Sequence, residues 1–233
     1  MRAPTQHIGM VGGLGPAATV LYYQLLLAGM KRLNATLRLT ISHADVEQVF
    51  SFATTGSDAE MALYIDGFLD ELIEAGARVL AIAAVTPHLC TKLLPEKRCA
   101  PFVDLVQATV NRLKGMDVGR VVLLGTRSVT STAFFGRLPQ ATASRPETCN
   151  EVHDLYVSIV REVAAAQNVA SKLSAIARQL LLDQGADAVL LAGTELSLIP
   201  RKAWGDLPII DCTEIHVQAI LDAASGLPEP ARN

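Results

Sequence analysis

Short continuous apolar runs alternate with longer amphipathic stretches along this chain. The apolar runs His7–Val11, Leu37–Ser42, Arg78–Ala84, Arg120–Leu124, Ala188–Leu191 and Leu207–Ile210 read as strands, and Pro101–Val103 as a short one. The stretches Pro16–Arg32, Asp58–Ala75, Asp104–Leu113, Ser171–Gln184 and Ile215–Ala224 carry the helical period. Residues 130–152, rich in Ser, Thr, Ala and Pro, read as a loop. Strands that are apolar throughout and lie between helices imply parallel sheets covered on both faces, so the expected class is α/β.

The pattern also repeats. Gly76 to Thr86 lies over Gly185 to Glu195, each a helix end, a glycine, a strand and a turn of small residues. Ala100-Pro101-Phe102-Val103-Asp104 matches Leu207-Pro208-Ile209-Ile210-Asp211. His7 to Gly13 matches Arg120 to Thr126. Three pairs in one order predict two similar Rossmann-like lobes related by a pseudo-two-fold axis, 1–115 with 211–233 and 116–210. Ligands of open α/β sheets bind beyond the carboxyl ends of the strands, so the expected site is a cleft between the lobes.

Composition narrows the candidates. The chain has 233 residues, 50% hydrophobic and 18% charged, with a net charge of -3. That is enough apolar content for substantial cores and offers no basic face for nucleic acid. No apolar run reaches the length of about 20 residues that spans a bilayer. The first residues show no signal-peptide pattern, so the expected location is cytoplasmic. Cys90, Cys99, Cys149 and Cys212 are widely spaced, without the Cys/His spacing of a zinc site, and read as reduced thiols with no metal.

The residues after the strands carry the chemistry. Gly12-Gly13-Leu14-Gly15-Pro16 follows the first strand and opens a helix, where backbone N–H groups suit an anion. It is neither the dinucleotide fingerprint nor a P-loop, so no nucleotide cofactor is expected; a small carboxylate fits Gly12 and Gly13, and a plain tight turn is the other reading. Ala84, Thr86 and His88 follow the third strand, with His88 open to a structural or a catalytic role. Gly193, Thr194 and Glu195 hold the matching place in the second lobe, and Glu195 offers a carboxylate to a ligand or to its neighbours. Asp45 is a further acidic candidate. Thr126 and Thr130 offer hydroxyls for a second carboxylate, while Asp104 and Asp211 stand where helix N-caps do.

Together, Ile8 to Pro16 with Thr19, Tyr22 and Tyr23, then Ala84 to His88, Leu123 to Thr126, Gly193 to Leu196 and Ile210 to His216 resemble the aspartate/glutamate racemase family along nearly the whole chain. The resemblance implies a cofactor-independent enzyme, a homodimer, and an amino-acid-like substrate whose α-proton is removed on one face and returned on the other. The family uses a thiol on each side, within Cys-Asn-Thr-x-His and Gly-Cys-Thr-Glu. Here Ala84 and Val85 stand for the first Cys-Asn, and Gly193 for the second Cys. Neither Ala84 nor Gly193 can carry a proton.

Two readings follow. One is an enzyme acting on a small carboxylate or amino-acid-like substrate by non-thiol chemistry of isomerase or lyase type, with Glu195, His88, Asp45 or Asp211 as the acid/base group. Ala84, Gly193, Thr86, Thr194, Thr126, Thr130, Gly12 and Gly13 then shape the substrate site. The other is a catalytically silent protein that binds a carboxylate or amino acid, or regulates a partner enzyme.

Overall fold

The computed structural model describes residues 5–95, 102–141 and 143–226. The chain packs as two compact units, Met1–Ala108 with Glu214–Asn233, and Thr109–Thr213.

In the first unit, β1 (Ile8–Gly12) is the central strand of a parallel sheet ordered β2-β1-β3, with β2 at Leu39–His43 and β3 at Val79–Ile82. Ile8 lies opposite both Leu39 and Val79. Strands β1 and β3 are buried along their whole length, as apolar runs without alternation require, while β2 forms an edge and is partly open. Helix α1 (Pro16–Arg32) starts with proline in its first turn and ends on Lys31 and Arg32, each favourable at its helix end. Its Tyr22, Leu26 and Met30 pack with Ile8, Met10 and Ala81, and with Val217, Ile220 and Leu221 of the closing helix. On the opposite face, Ile65, Leu69 and Leu72 of α3 (Asp58–Glu74) pack with Val11, Leu80 and Ile82.

Helix α2 (Val46–Thr55) lies between β2 and α3. The sequence pattern did not mark it, and only Val49 of its residues is fully buried, with Phe52 and Ala53 packed partly buried against the core. After β3 the chain runs through two short 3-10 turns, Thr86–Leu89 and Thr91–Leu93. Of the strand expected at Pro101–Val103, Pro101 lies outside the described residues, and Phe102 forms a parallel bridge with Leu80. Helices α4 (Leu105–Lys114) and α8 (Cys212–Ser225) carry the chain from one unit to the other.

The second unit repeats the plan with strand order β4-β5-β6, at Val121–Gly125, Ala188–Ala192 and Ile209–Asp211. All three strands are parallel and buried. A short α5 (Arg127–Ser131) follows β4. The segment expected to be a loop to residue 152 instead enters α6 (Pro146–Arg161), with Pro146 in its first turn. Its buried positions Cys149, Val152, Tyr156 and Ile159 recur at helical spacing. Helix α7 (Ala165–Gln184) begins earlier than expected and ends on Gly185 in the left-handed conformation. Leu173, Ala177 and Leu180 of α7, with Tyr156 and Ile159 of α6, pack over Val122, Leu124, Val189 and Leu191 around Trp204.

Candidate functional site

In the first unit the glycine turn after β1 is shaped by packing. Gly13 has φ 83°, and a Cβ there would overlap the carbonyl oxygen of Ala44. A Cβ on Gly12 would come within 2.9 Å of Ile41 and overlap Thr19 more closely still. The Gly13 N–H donates to the Thr19 hydroxyl at 3.0 Å, and that hydroxyl donates to the Gly15 carbonyl at 3.1 Å. The amide of Gly13 is thus already committed within the turn.

Ala84 is buried with Cys90 and Val11, and Thr86 opens the 3-10 turn. His88 is 2% exposed. Its Nδ1 lies 3.0 Å from the Ala84 carbonyl, and its Nε2 accepts from the Leu105 N–H at 3.1 Å. That pairing requires the neutral ring with the proton on Nδ1. His88 therefore ties the turn after β3 to the start of α4, and its ring stacks on Phe102. Beside it His216 is held likewise: Nε2 donates to the Val103 carbonyl and Nδ1 accepts from the Tyr22 hydroxyl, both at 2.9 Å. Burial, aided by His88, holds His216 down to a pKa of about 3, so it too is neutral. Cys90, the thiol nearest this turn in sequence, is buried and pushed up to about 12 by that burial and by Asp58, which leaves no reactive thiolate.

Asp45 is exposed and caps α2, accepting from the Glu47 N–H at 2.9 Å. Asp104 accepts from the Gln107 N–H at 2.7 Å, and Asp211 from the Thr213 N–H at 2.8 Å, so both act at helix starts. The Ser197 hydroxyl lies 2.9 Å from Asp211 and 2.8 Å from the Thr213 hydroxyl.

In the second unit Thr126 begins α5, its hydroxyl 3.0 Å from that of Ser128, and the Thr130 hydroxyl turns back to the Thr126 carbonyl at 3.2 Å. Arg127 binds α5 to α6 through Asn150 at 2.7 Å, and its N–H meets His153 at 3.3 Å. Burial, and then the Arg127 charge, lower the pKa of His153.

The turn after β5 differs from all of these. Glu195 is 1% exposed. Its Oε2 accepts from the Tyr156 hydroxyl, and from the Thr194 hydroxyl at 3.0 Å. Its Oε1 is buried with no hydrogen-bond partner. Burial raises the carboxyl pKa, against the pull of the Tyr156 and Thr194 hydroxyls and of the Glu195 backbone N–H. Burial and the neighbouring Glu195 push the Tyr156 phenol well above its usual range. Cys212 is buried close enough to feel Glu195, and its thiol is likewise pushed up, by burial first and by Asp211 next.

Tyr156 escaped the sequence reading. Its helical spacing from Cys149 and Val152 marks it as core, and nothing in the sequence joins it to Glu195, 39 positions away. Among the described residues no group of three or more His, Cys, Asp and Glu side chains is arranged to hold a metal ion. Among them also, no helix is long and apolar enough to cross a membrane.

Parallel sheets followed by turns rich in small and polar residues define an α/β protein. The family model for Asp/Glu/Hydantoin racemase matches residues 11–220, and the chain belongs to that family. Its fold is similar to that of an aspartate racemase homologue from Pyrococcus horikoshii, with TM-score 0.73 at 21% identity over 93% of this chain and 98% of that one. A putative Asp/Glu racemase from Yersinia pestis matches with the same TM-score of 0.73, at 21% identity over 93% of this chain and 98% of that one. The aspartate racemase of Picrophilus torridus gives TM-score 0.69 at 21% identity, over 94% of each chain.

Proposed function

We propose that this chain is an enzyme that moves a proton on a small carboxylate or amino-acid-like substrate without the two-thiol pair, in a reaction of isomerase or lyase type. The observation that carries this reading is Glu195. It is a buried carboxyl with a raised pKa and one oxygen left without a partner, two residues from Gly193, where the resemblance puts the second thiol. Perturbed carboxyls of this kind collect at sites of acid/base chemistry. The turn after β5 supplies Glu195 and Thr194 to the site. Thr126 and Thr130 after β4, and Gly12, Gly13, Ala84 and Thr86 in the first unit, belong to the substrate-binding side of the proposal.

The test is α-deuterium incorporation into L- and D-aspartate, L- and D-glutamate and a panel of small hydroxy and keto carboxylates, followed by proton NMR in D2O. At least one compound is expected to exchange, and Glu195→Gln to slow that exchange by about 10²–10⁴-fold. Exchange is expected to persist after dialysis against a chelator, as cofactor-independent chemistry requires. Assembly as a homodimer belongs to the same reading and is checked by light scattering.

A second reading is a silent carboxylate- or amino-acid-binding protein. It is favoured by the first unit, where His88 and His216 have both nitrogens engaged and no thiol stands at Ala84. Thermal stabilisation by a panel compound, with no exchange and no other turnover, would select it.

A further inference from the structure

A glycine can be required for its backbone or for its volume, and at position 193 the two separate cleanly. Gly193 has φ -159° and ψ 126°, extended backbone that any residue adopts. Yet a Cβ built there would overlap Cε2 of Tyr156 and come within 3.1 Å of its Cδ2 and Cζ. The ring is 5% exposed and sits among Val152, Ile159 and Leu196, so it has little room to retreat. The space a side chain at 193 would enter is therefore occupied by the edge of a phenol from α6. The hydroxyl of that same phenol ends on Glu195.

We propose that Tyr156 and Glu195 form one proton-holding unit that has taken the place of the second thiol, with Gly193 kept bare to admit the ring. The chemistry of the unit rests on the enzyme reading above, while its geometry does not. Tyr156 is the positioning residue. It and Thr194 place both of their O–H donors on Oε2, which fixes the carboxyl plane and leaves Oε1, itself buried, as the carboxyl oxygen without a hydrogen-bond partner. With Glu195 ionised, the α-C–H bond of a substrate breaks with its electron pair left on carbon, and the proton bonds to Oε1. The carboxylate becomes a neutral acid, and Tyr156 and Thr194 keep their own protons. Return of the Oε1 proton to carbon closes the cycle. The other titratable group felt by the pair is Cys212, whose thiol stays protonated through burial and through Asp211. The missing thiol is thus a replacement rather than a deletion, and Gly193→Cys alone cannot restore it.

Two measurements test the unit on the whole chain. The first is carbon-13 NMR of protein labelled at the glutamate carboxyls, with the Glu195 signal assigned by its loss in Glu195→Gln. Tyr156→Phe removes a donor to the ionised form, so the Glu195 midpoint is expected to rise by about one pH unit. The second is a cycle of Gly193→Ala with Tyr156→Leu. Gly193→Ala is expected to lower Tm by about 3 °C or more in the wild-type background and by less than about 1 °C in Tyr156→Leu. An unmoved Glu195 midpoint in Tyr156→Phe, or equal Tm losses in both backgrounds, overturns the unit. With an exchanging substrate in hand, the pH profile in Tyr156→Phe is expected to move with the Glu195 midpoint. A wild type that exchanges nothing defeats the enzyme reading, and the midpoint and the Tm cycle still decide whether the pair exists.

Discussion

Each unit buries polar side chains beside its sheet, and the two sets are completed in opposite ways. In the first unit His88 and His216 are neutral, and each of their four ring nitrogens has a partner: two backbone carbonyls, a backbone N–H and the Tyr22 hydroxyl. In the second unit Glu195 gathers two donors on one oxygen and none on the other. A buried polar group with every valence used is explained by the fold it holds together. One that is left open carries a desolvation cost that only a ligand or a proton can offset. The family pattern draws attention to His88 and Glu195 equally, and the geometry separates them into a strut and a reactive candidate.

The sharpest way to break this contrast is to mutate both residues against both readouts. Glu195→Gln keeps the size of the side chain and is expected to reduce α-proton exchange by about 10²–10⁴-fold, equivalent to roughly 3–5 kcal/mol of barrier. His88→Ala is expected to cost about 2–4 kcal/mol of stability, because it strands a buried carbonyl and a buried N–H and opens a cavity. If His88→Ala leaves the denaturation midpoint unchanged while abolishing exchange, the assignment of roles is reversed.

Much of this architecture was readable from the sequence. The unbroken apolar runs at Ile8–Gly12, Val121–Gly125 and Ala188–Ala192 announce buried parallel strands, and Pro16 with Lys31 and Arg32 brackets α1. Helix α6 was legible in principle, through Pro146 and the spacing of Cys149, Val152, Tyr156 and Ile159, but the Ser/Thr/Pro-rich stretch before it masked the start. The site was legible only as single residues. Glu195 stands out because it follows a strand within a recognised motif. That it meets Tyr156, and that Tyr156 rather than backbone strain explains Gly193, are contacts between distant segments, which no local pattern encodes.

The contrast also has a pH signature of intermediate size. His216 is depressed from 6.5 to about 3 in the folded chain, so its contribution is complete above pH 6.5. As pH falls below that value the unfolded chain takes up a proton that the folded chain refuses. Stability then declines by about 1.4 kcal/mol per pH unit until the folded value near 3 is reached. Glu195 acts with the opposite sign. Its folded pKa lies above 4.5, so its contribution is complete below 4.5 and is lost as pH rises through the folded value. Urea denaturation across pH 4–8 is expected to show a shallower acid limb in His216→Gln than in the wild type, and in Glu195→Gln the loss of the decline that begins above pH 4.5. Parallel curves for all three proteins would mean that neither group titrates differently in the folded state.

The smallest effect concerns Asp45, the acidic candidate that the structure puts on the surface. Its carboxylate caps α2 through the Glu47 N–H at 2.9 Å, and its own N–H donates to the Tyr64 hydroxyl at 2.8 Å. Losing an N-cap side chain costs about 1 kcal/mol, so Asp45→Ala is expected to lower stability by about that amount, and Asp45→Ser to recover most of it, since a serine hydroxyl caps nearly as well. Neither change alters a buried group, and both variants are expected to exchange α-deuterium at the wild-type rate. Serine cannot act as a carboxylate base at neutral pH, so rescue of stability together with unchanged exchange separates capping from catalysis. Exchange lost in both variants, with stability restored in Asp45→Ser, would instead bring Asp45 into the chemistry and give the first unit the reactive group that His88 and His216 do not supply.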